Sequence, residues 1–147
     1  MTEIPWRELV LAAKAARRRA HAPYSRYLVG AAVLADDGRV YAGCNVENAT
    51  YGATICAERT AVTKMVSEGG RRVVAVVVVT EGERPASPCG VCRQVLCEFA
   101  GDVPVRMVAL GPRGRVVATR DASLDALLPD AFRGATVLDN LERKRAR

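Results

Sequence analysis

Val73-Val74-Ala75-Val76-Val77-Val78-Val79 is the run on which the fold turns. Valine dominates, one alanine interrupts, and no polar residue alternates with them. That composition describes a strand covered on both faces. Such a strand needs a helical layer above and below it. Helical patterns flank it on both sides. Upstream, a helix begins near Cys56, where Thr54 can cap it, and runs to the stop signal Gly69-Gly70. Downstream, Ser87 suits an N-cap and Pro88 the first helical position. Val95, Leu96 and Phe99 then extend one apolar face, and Gly101 can end the helix.

Further out, Pro5 to about Ala20 reads as a helix with an apolar stripe of Trp6, Leu9, Val10, Ala13 and Ala16. His21-Ala22-Pro23-Tyr24-Ser25 breaks it, and His21 reads as a turn residue. Leu28–Leu34 is a strand, Asp36-Asp37-Gly38 a turn, and Arg39–Gly43 the returning strand. Pro104–Leu110 and the shorter Arg115–Thr119 are two more strands around a turn at Gly111–Gly114. Asp121 or Ser123 can cap a short helix that ends before Pro129. The order gives an α/β protein, a three-layer α-β-α sandwich with a mixed five-stranded sheet. The βαβ crossovers imply parallel pairs, and the first hairpin is antiparallel. Residues 1–147 form one domain, with a core at about 5–132 and a charged tail at about 134–147.

Half of the 147 residues are hydrophobic and the net charge is +6. Glu142 to Arg147 carry four positive charges and one negative, which is half of that net charge. The basic run Arg17-Arg18-Arg19 has no aromatic residues interleaved to stack bases, so no nucleic-acid partner is expected. No apolar run spans a membrane and no signal pattern opens the chain, so a cytoplasmic protein without membrane contact is expected. Thiols stay reduced there, and clustered cysteines are then more often metal ligands than disulfides.

Cys56, Cys89 and Cys92 are three such thiols. Catalytic zinc takes three protein ligands and keeps one position open, so these three can supply the set. Glu58 stands two residues beyond the first, placed to move protons for water. At about 200° apart, Cys56 and Glu58 cannot share one side of a long helix. Side chains tilt toward the helix N-terminus, so both can reach a site just beyond its end. Two helix N-termini would converge there and favour thiolate. Three thiolates on Zn2+ leave a net charge of −1, which Arg59 or Arg93 could offset. A closed structural zinc with Cys44 as fourth ligand, or free thiols, are the alternatives. Between strand and helix, Asn45 and Glu47 alternate in a polar loop. They offer an amide and a carboxylate, enough to hold ribose hydroxyls.

A Cys or His with a non-ligand Glu two residues on, followed by Pro-Cys-x-x-Cys, is the signature of zinc deaminases. The chain resembles the small, homotetrameric cytidine deaminases from about Trp6 to Phe132. The matching pieces are Ala22-Pro23-Tyr24-Ser25, Val29-Gly30-Ala31-Ala32, Gly43-Cys44-Asn45-Val46-Glu47-Asn48, Cys56-Ala57-Glu58-Arg59-Thr60-Ala61, Pro88-Cys89-Gly90-Val91-Cys92-Arg93-Gln94 and Leu127-Leu128-Pro129-Asp130-Ala131-Phe132.

The resemblance implies one zinc per chain on Cys56, Cys89 and Cys92, with Glu58 as proton shuttle. It implies that Asn45 and Glu47 hold the ribose 3′-hydroxyl and that the Ala57 backbone and Glu58 read the pyrimidine. It adds Ala49 to the substrate contacts, and it gives Arg59 hydrogen bonds to the ligand sulfurs. Tyr51 and Phe132 would reach a neighbouring subunit's site in a homotetramer. Tyr27 stands where the family usually has a Phe that packs on the base. Cys44 is common at its position without being a ligand. The activity implied is hydrolytic deamination of cytidine and 2′-deoxycytidine in pyrimidine salvage. A deaminase of a cytosine-containing antibiotic such as blasticidin S is the alternative.

Overall fold

The structure is a computed structural model and describes residues 3–145. In chain order the elements are α1 (Trp6–Arg17), β1 (Val29–Ala35), β2 (Val40–Cys44), α2 (Ala57–Ser67), β3 (Val73–Glu81), α3 (Gly90–Phe99), β4 (Pro104–Leu110), β5 (Val116–Ser123), α4 (Leu124–Leu127) and α5 (Gly134–Arg145). Five strands form one sheet in the order β2-β1-β3-β4-β5. The valine run is its middle strand, as its composition requires, and six consecutive residues of it from Ala75 to Thr80 are buried.

The sheet is mixed, with one parallel pair. β3 and β4 run parallel with Val78 opposite Met107, while β1 lies antiparallel to both β2 and β3. The sequence reading expected parallel pairs from each βαβ crossover. The connection through α2 yields none, because β1 fills the place beside β3 and leaves β2 at the edge. Only the α3 connection joins parallel neighbours.

Alternation along the strands divides the core. Val33, Val76, Val78 and Met107 pack on the α2–α3 side with Met65 and Leu96. Ala32, Val77, Val79 and Val108 pack on the other side against Leu9 and Ala13 of α1. Two glycines set the layer spacing. A Cβ on Gly30 would stand 2.0 Å from the Ala13 carbonyl oxygen, and one on Gly43 would stand 2.5 Å from the Ala61 backbone nitrogen. Thus α1 lies close on β1, and α2 close on β2. The Arg106 guanidinium lies 4.2 Å from the centre of the Trp6 ring. It also makes two bonds to Asp121, at 2.8 and 2.7 Å, tying α1 to β4 and β5.

Three local readings need correction. α2 begins at Ala57 with Cys56, not Thr54, in the N-cap position, and α3 begins at Gly90 with Cys89 there. Ser87 and Pro88 therefore precede the helix. β5 reaches Ser123, four residues past the expected end, and Ser123 caps α4 by accepting the Ala126 N–H. The charged tail is helical from Gly134 to Arg145, with no buried residue. Residues 146 and 147 of that tail lie outside the described residues. No helix among the described residues is long and apolar enough to cross a membrane.

Candidate active site

The site lies where α2 and α3 begin, above the end of β3. A cysteine at an N-cap carries its sulfur past the helix end, in front of the first free N–H groups. With α2 and α3 side by side, the Cys56 and Cys89 sulfurs come within 3.9 Å of each other. Cys92, buried in the first turn of α3, completes a group whose sulfurs all lie within 4.8 Å of one another. A tetrahedral zinc with bonds of about 2.3 Å separates its sulfurs by roughly 3.8 Å, so the thiols fit that ion and its preferred donor set. Cys44 is not among the three, which removes the fourth ligand that a closed structural site would need.

The charges around the sulfurs are arranged for thiolate. The Cys56 thiol is drawn down to about 5, chiefly by its hydrogen bond with Cys92, then by Arg59 and Cys89. The same bond and burial push Cys92 up, so of this pair Cys56 is the readier thiolate and Cys92 the better holder of a proton. Arg59 donates to Cys56 Sγ at 3.5 Å and to the Thr54 carbonyl at 3.1 Å. Arg93, the other candidate for offsetting charge, reaches no sulfur. Its guanidinium bonds the carbonyls of Pro88 and Leu127 at 2.8 and 2.6 Å and so braces the loop before α3.

Glu58 is 4 % exposed and lines the same cavity as Cys56, Ala57 and Cys89. Burial raises its carboxyl above the ordinary range, and the nearby Cys56 charge adds to the effect. A carboxyl raised in this way holds a proton more tightly than a free one, which suits a group that takes up and hands on protons.

The cavity encloses about 270 Å³. Its far end is built by the loop after β2. Val46 is strapped between His21 and Ile55 by backbone pairing, leaving Asn45 and Glu47 to face the cavity together. The Asn45 amide spans the opposite strand start, accepting from the Val29 N–H and donating to the Tyr27 carbonyl, each at 2.8 Å. Glu47 accepts the backbone N–H groups of Tyr24 at 2.9 Å and Ser25 at 3.2 Å, and also the Ser25 hydroxyl. Its carboxyl is lowered, first by the Ser25 hydroxyl. Tyr27 forms a wall of the cavity.

Other expected residues lie elsewhere. Tyr51 lines an adjoining cavity with Tyr24, Ser25, Glu47 and Thr54. Ala49 is exposed and lines neither space. Phe132 is 69 % exposed, its backbone carbonyl held by Gln94 at 2.7 Å. Ser25, Thr54 and Thr80 also line the main cavity, although the sequence reading assigns none of them to the site. Ser25 was within a matched motif, which was the available signal. Thr80 follows the Val73–Val79 run and belongs to none of the motifs, so the sequence carries no signal for it.

A buried carboxylate beside three convergent thiols, at one end of a cavity whose other end is polar, defines a zinc hydrolase of small polar molecules on an α-β-α sandwich. Residues 6–108 match the family model described as the cytidine and deoxycytidylate deaminase zinc-binding region. A cytidine deaminase of Sporosarcina psychrophila is 49 % identical over 126 residues, 85 % of this chain and 89 % of that protein. One from Mycobacterium tuberculosis H37Rv is 44 % identical over 99 % of both chains. The crystal structure of cytidine deaminase from Burkholderia pseudomallei matches with a TM-score of 0.77 at 45 % identity, covering 90 % of this chain and 100 % of that one. The chain belongs to the cytidine and deoxycytidylate deaminase family, and its cofactor is zinc.

Proposed function

We propose that this enzyme hydrolyses cytidine and 2′-deoxycytidine to uridine and 2′-deoxyuridine, releasing ammonia. The supporting observation is that one cavity is lined both by Cys56, Cys89 and buried Glu58 and by Asn45 and Glu47. That lining suits a base beside the thiols and Glu58 and its sugar beside Asn45 and Glu47. The named relatives are cytidine deaminases, which does not favour the antibiotic alternative.

Zinc on Cys56, Cys89 and Cys92 supplies Lewis acidity that makes water nucleophilic near neutral pH. The raised Glu58 carboxyl takes a proton from the attacking water and delivers one to ring N3. As oxygen bonds to C4 and the C4–N bond breaks, Glu58 carries a proton to the departing amine. Ala57, the first residue of α2, has a backbone N–H without an intrahelical acceptor, available to the pyrimidine carbonyl. Asn45 keeps one amide hydrogen beyond its bond to Tyr27, and with Glu47 it holds the ribose 3′-hydroxyl. Arg59 draws charge from the Cys56 sulfur, limiting how far three anionic ligands weaken the metal's acidity.

The working form is a homotetramer in which Tyr51 and Phe132 close a neighbour's site. Their exposures of 73 % and 69 %, large for aromatic side chains, support this. The setting is cytoplasmic pyrimidine salvage, and the five free cysteines suit a reducing compartment. Ultraviolet absorbance should fall with cytidine and deoxycytidine, while cytosine, deoxycytidylate and blasticidin S stay nearly inert. Turnover of blasticidin S alone would refute the reading. Size-exclusion chromatography should give a tetramer, and Phe132→Ala should raise KM. A fully active monomer would contradict the shared site.

A further inference from the structure

Ser25 lines both the main cavity and the adjoining one, beside Glu47. Its backbone N–H lies 3.2 Å from Glu47 Oε2, and its hydroxyl donates to Glu47 Oε1. The same hydroxyl oxygen accepts the backbone N–H of Tyr27 at 3.0 Å. A hydroxyl has one proton to give and two lone pairs, so both bonds form at once. The carbonyl of Tyr27 is held in turn by Asn45. Both peptide polar groups of Tyr27 therefore hang on side chains at the sugar end of the cavity.

Tyr27 is half exposed and lines the cavity, and that clamp fixes the backbone from which its ring is presented. The donors on Glu47 also limit what else it can accept. An ionised carboxylate has about four lone-pair sites. The Tyr24 N–H, the Ser25 hydroxyl and the Ser25 N–H, which reaches both carboxylate oxygens at 3.2 and 3.3 Å, already crowd it, so a ligand donor competes for what is left.

We infer that Ser25 is a positioning residue that couples sugar recognition at Glu47 to the placement of the Tyr27 ring beside the base. The inference rests on the nucleoside reading above. Removing the hydroxyl frees a site on Glu47 for water and leaves the Tyr27 N–H without its acceptor. The backbone bonds from Tyr24 and Ser25 to Glu47 remain, so the carboxylate stays in place but is no longer oriented by three donors.

The test is steady-state kinetics of the zinc-loaded full chain and its Ser25→Ala, Ser25→Cys and Ser25→Thr variants. The substrates are cytidine, 2′-deoxycytidine and 3′-deoxycytidine. Ser25→Ala should raise KM for cytidine and 2′-deoxycytidine about tenfold, near the low end for losing a hydrogen bond to a charged group. Its kcat should stay within about threefold, and Ser25→Thr, which keeps the hydroxyl, should return KM to near the parent value. On 3′-deoxycytidine, which lacks the hydroxyl assigned to Glu47, the KM ratio of Ala variant to parent should shrink to about threefold or less. An equal KM penalty on 3′-deoxycytidine overturns the coupling, as does a loss confined to kcat or a Thr variant that rescues nothing. Should Ser25→Ala not fold, Ser25→Cys keeps the size, weakens the donor and gives the same comparison. A parent that turns over cytidine normally while the Ser25 variants change nothing overturns the coupling alone. A parent inactive on cytidine overturns the nucleoside reading and the coupling with it.

Discussion

Replacing Arg59 by methionine removes a guanidinium from beside a thiolate while keeping most of the apolar stem. The Nη2–Sγ distance is 3.5 Å, and the same nitrogen holds the Thr54 carbonyl. At an effective dielectric of about 20, two charges so placed interact by at most about 5 kcal/mol. Net of lost hydration, a hydrogen bond to a charged group contributes about 1.5 to 3 kcal/mol. If that interaction serves mainly to draw charge off the sulfur, its loss falls on the barrier, and kcat should drop roughly 10- to 150-fold. KM should move less than about threefold, because Arg59 does not line the cavity. Zinc should stay at one per chain near neutral pH. Arg59 lowers the Cys56 thiol, so without it protons should displace the metal at a higher pH. Stopped-assay kinetics and a zinc-release titration measure both effects. An Arg59→Met enzyme with kcat and the zinc-release midpoint unchanged would refute the role of the guanidinium.

Gly43→Ala should cost about 1–3 kcal/mol in denaturant unfolding, because its Cβ would press on the α2 backbone at Ala61 N and Ala57 O, 2.5 and 2.8 Å away. The same shift would displace Cys56 and Glu58, so kcat should fall as well, and an unimpaired variant would show that α2 is not seated by that contact. The lowered Glu47 carboxyl should stay ionised below its ordinary value of 4.5. Its contribution to stability is therefore present above the unfolded value and lost as pH falls through the lower folded one. The KM difference between parent and Glu47→Gln should then hold constant from pH 7 to about 5, and a difference that vanishes across that range would contradict the assignment.

Much of the fold was legible because burial writes itself into composition. The valine run could only be a central strand, whereas the close approach of helices at Gly30 and Gly43 shows only in the packing. Strand order was harder, since hairpin and crossover both bid for the place beside β3, and only tertiary packing decides. The helix starts were misread for a chemical reason. Ser and Thr at an N-cap bond their own helix, so Thr54 and Ser87 were the natural choices. Here Cys56 and Cys89 hold those positions with no side-chain cap bond, leaving their sulfurs free to face each other. Helix α5 buries nothing within this chain, so no apolar periodicity toward a core announced it. Ser25 escaped notice because its role lies in contacts between segments 22 residues apart. Tyr51 meets Tyr24 edge-on, with ring centres 5.7 Å apart, yet stays 73 % exposed, and Phe132 stays 69 % exposed, so packing among the described residues gave no signal for either.

The most direct test of the account is Glu58→Gln, which keeps size and hydrogen-bonding reach while removing the ionisable group. The variant should fold, hold one zinc and bind cytidine through the sugar end, where Asn45 and Glu47 are untouched. Deamination should fall by about 10²- to 10⁴-fold or more, the range for a general acid–base residue. A zinc-loaded Glu58→Gln protein that deaminates cytidine within about tenfold of the parent would contradict the claim, because so small a loss lies below that range.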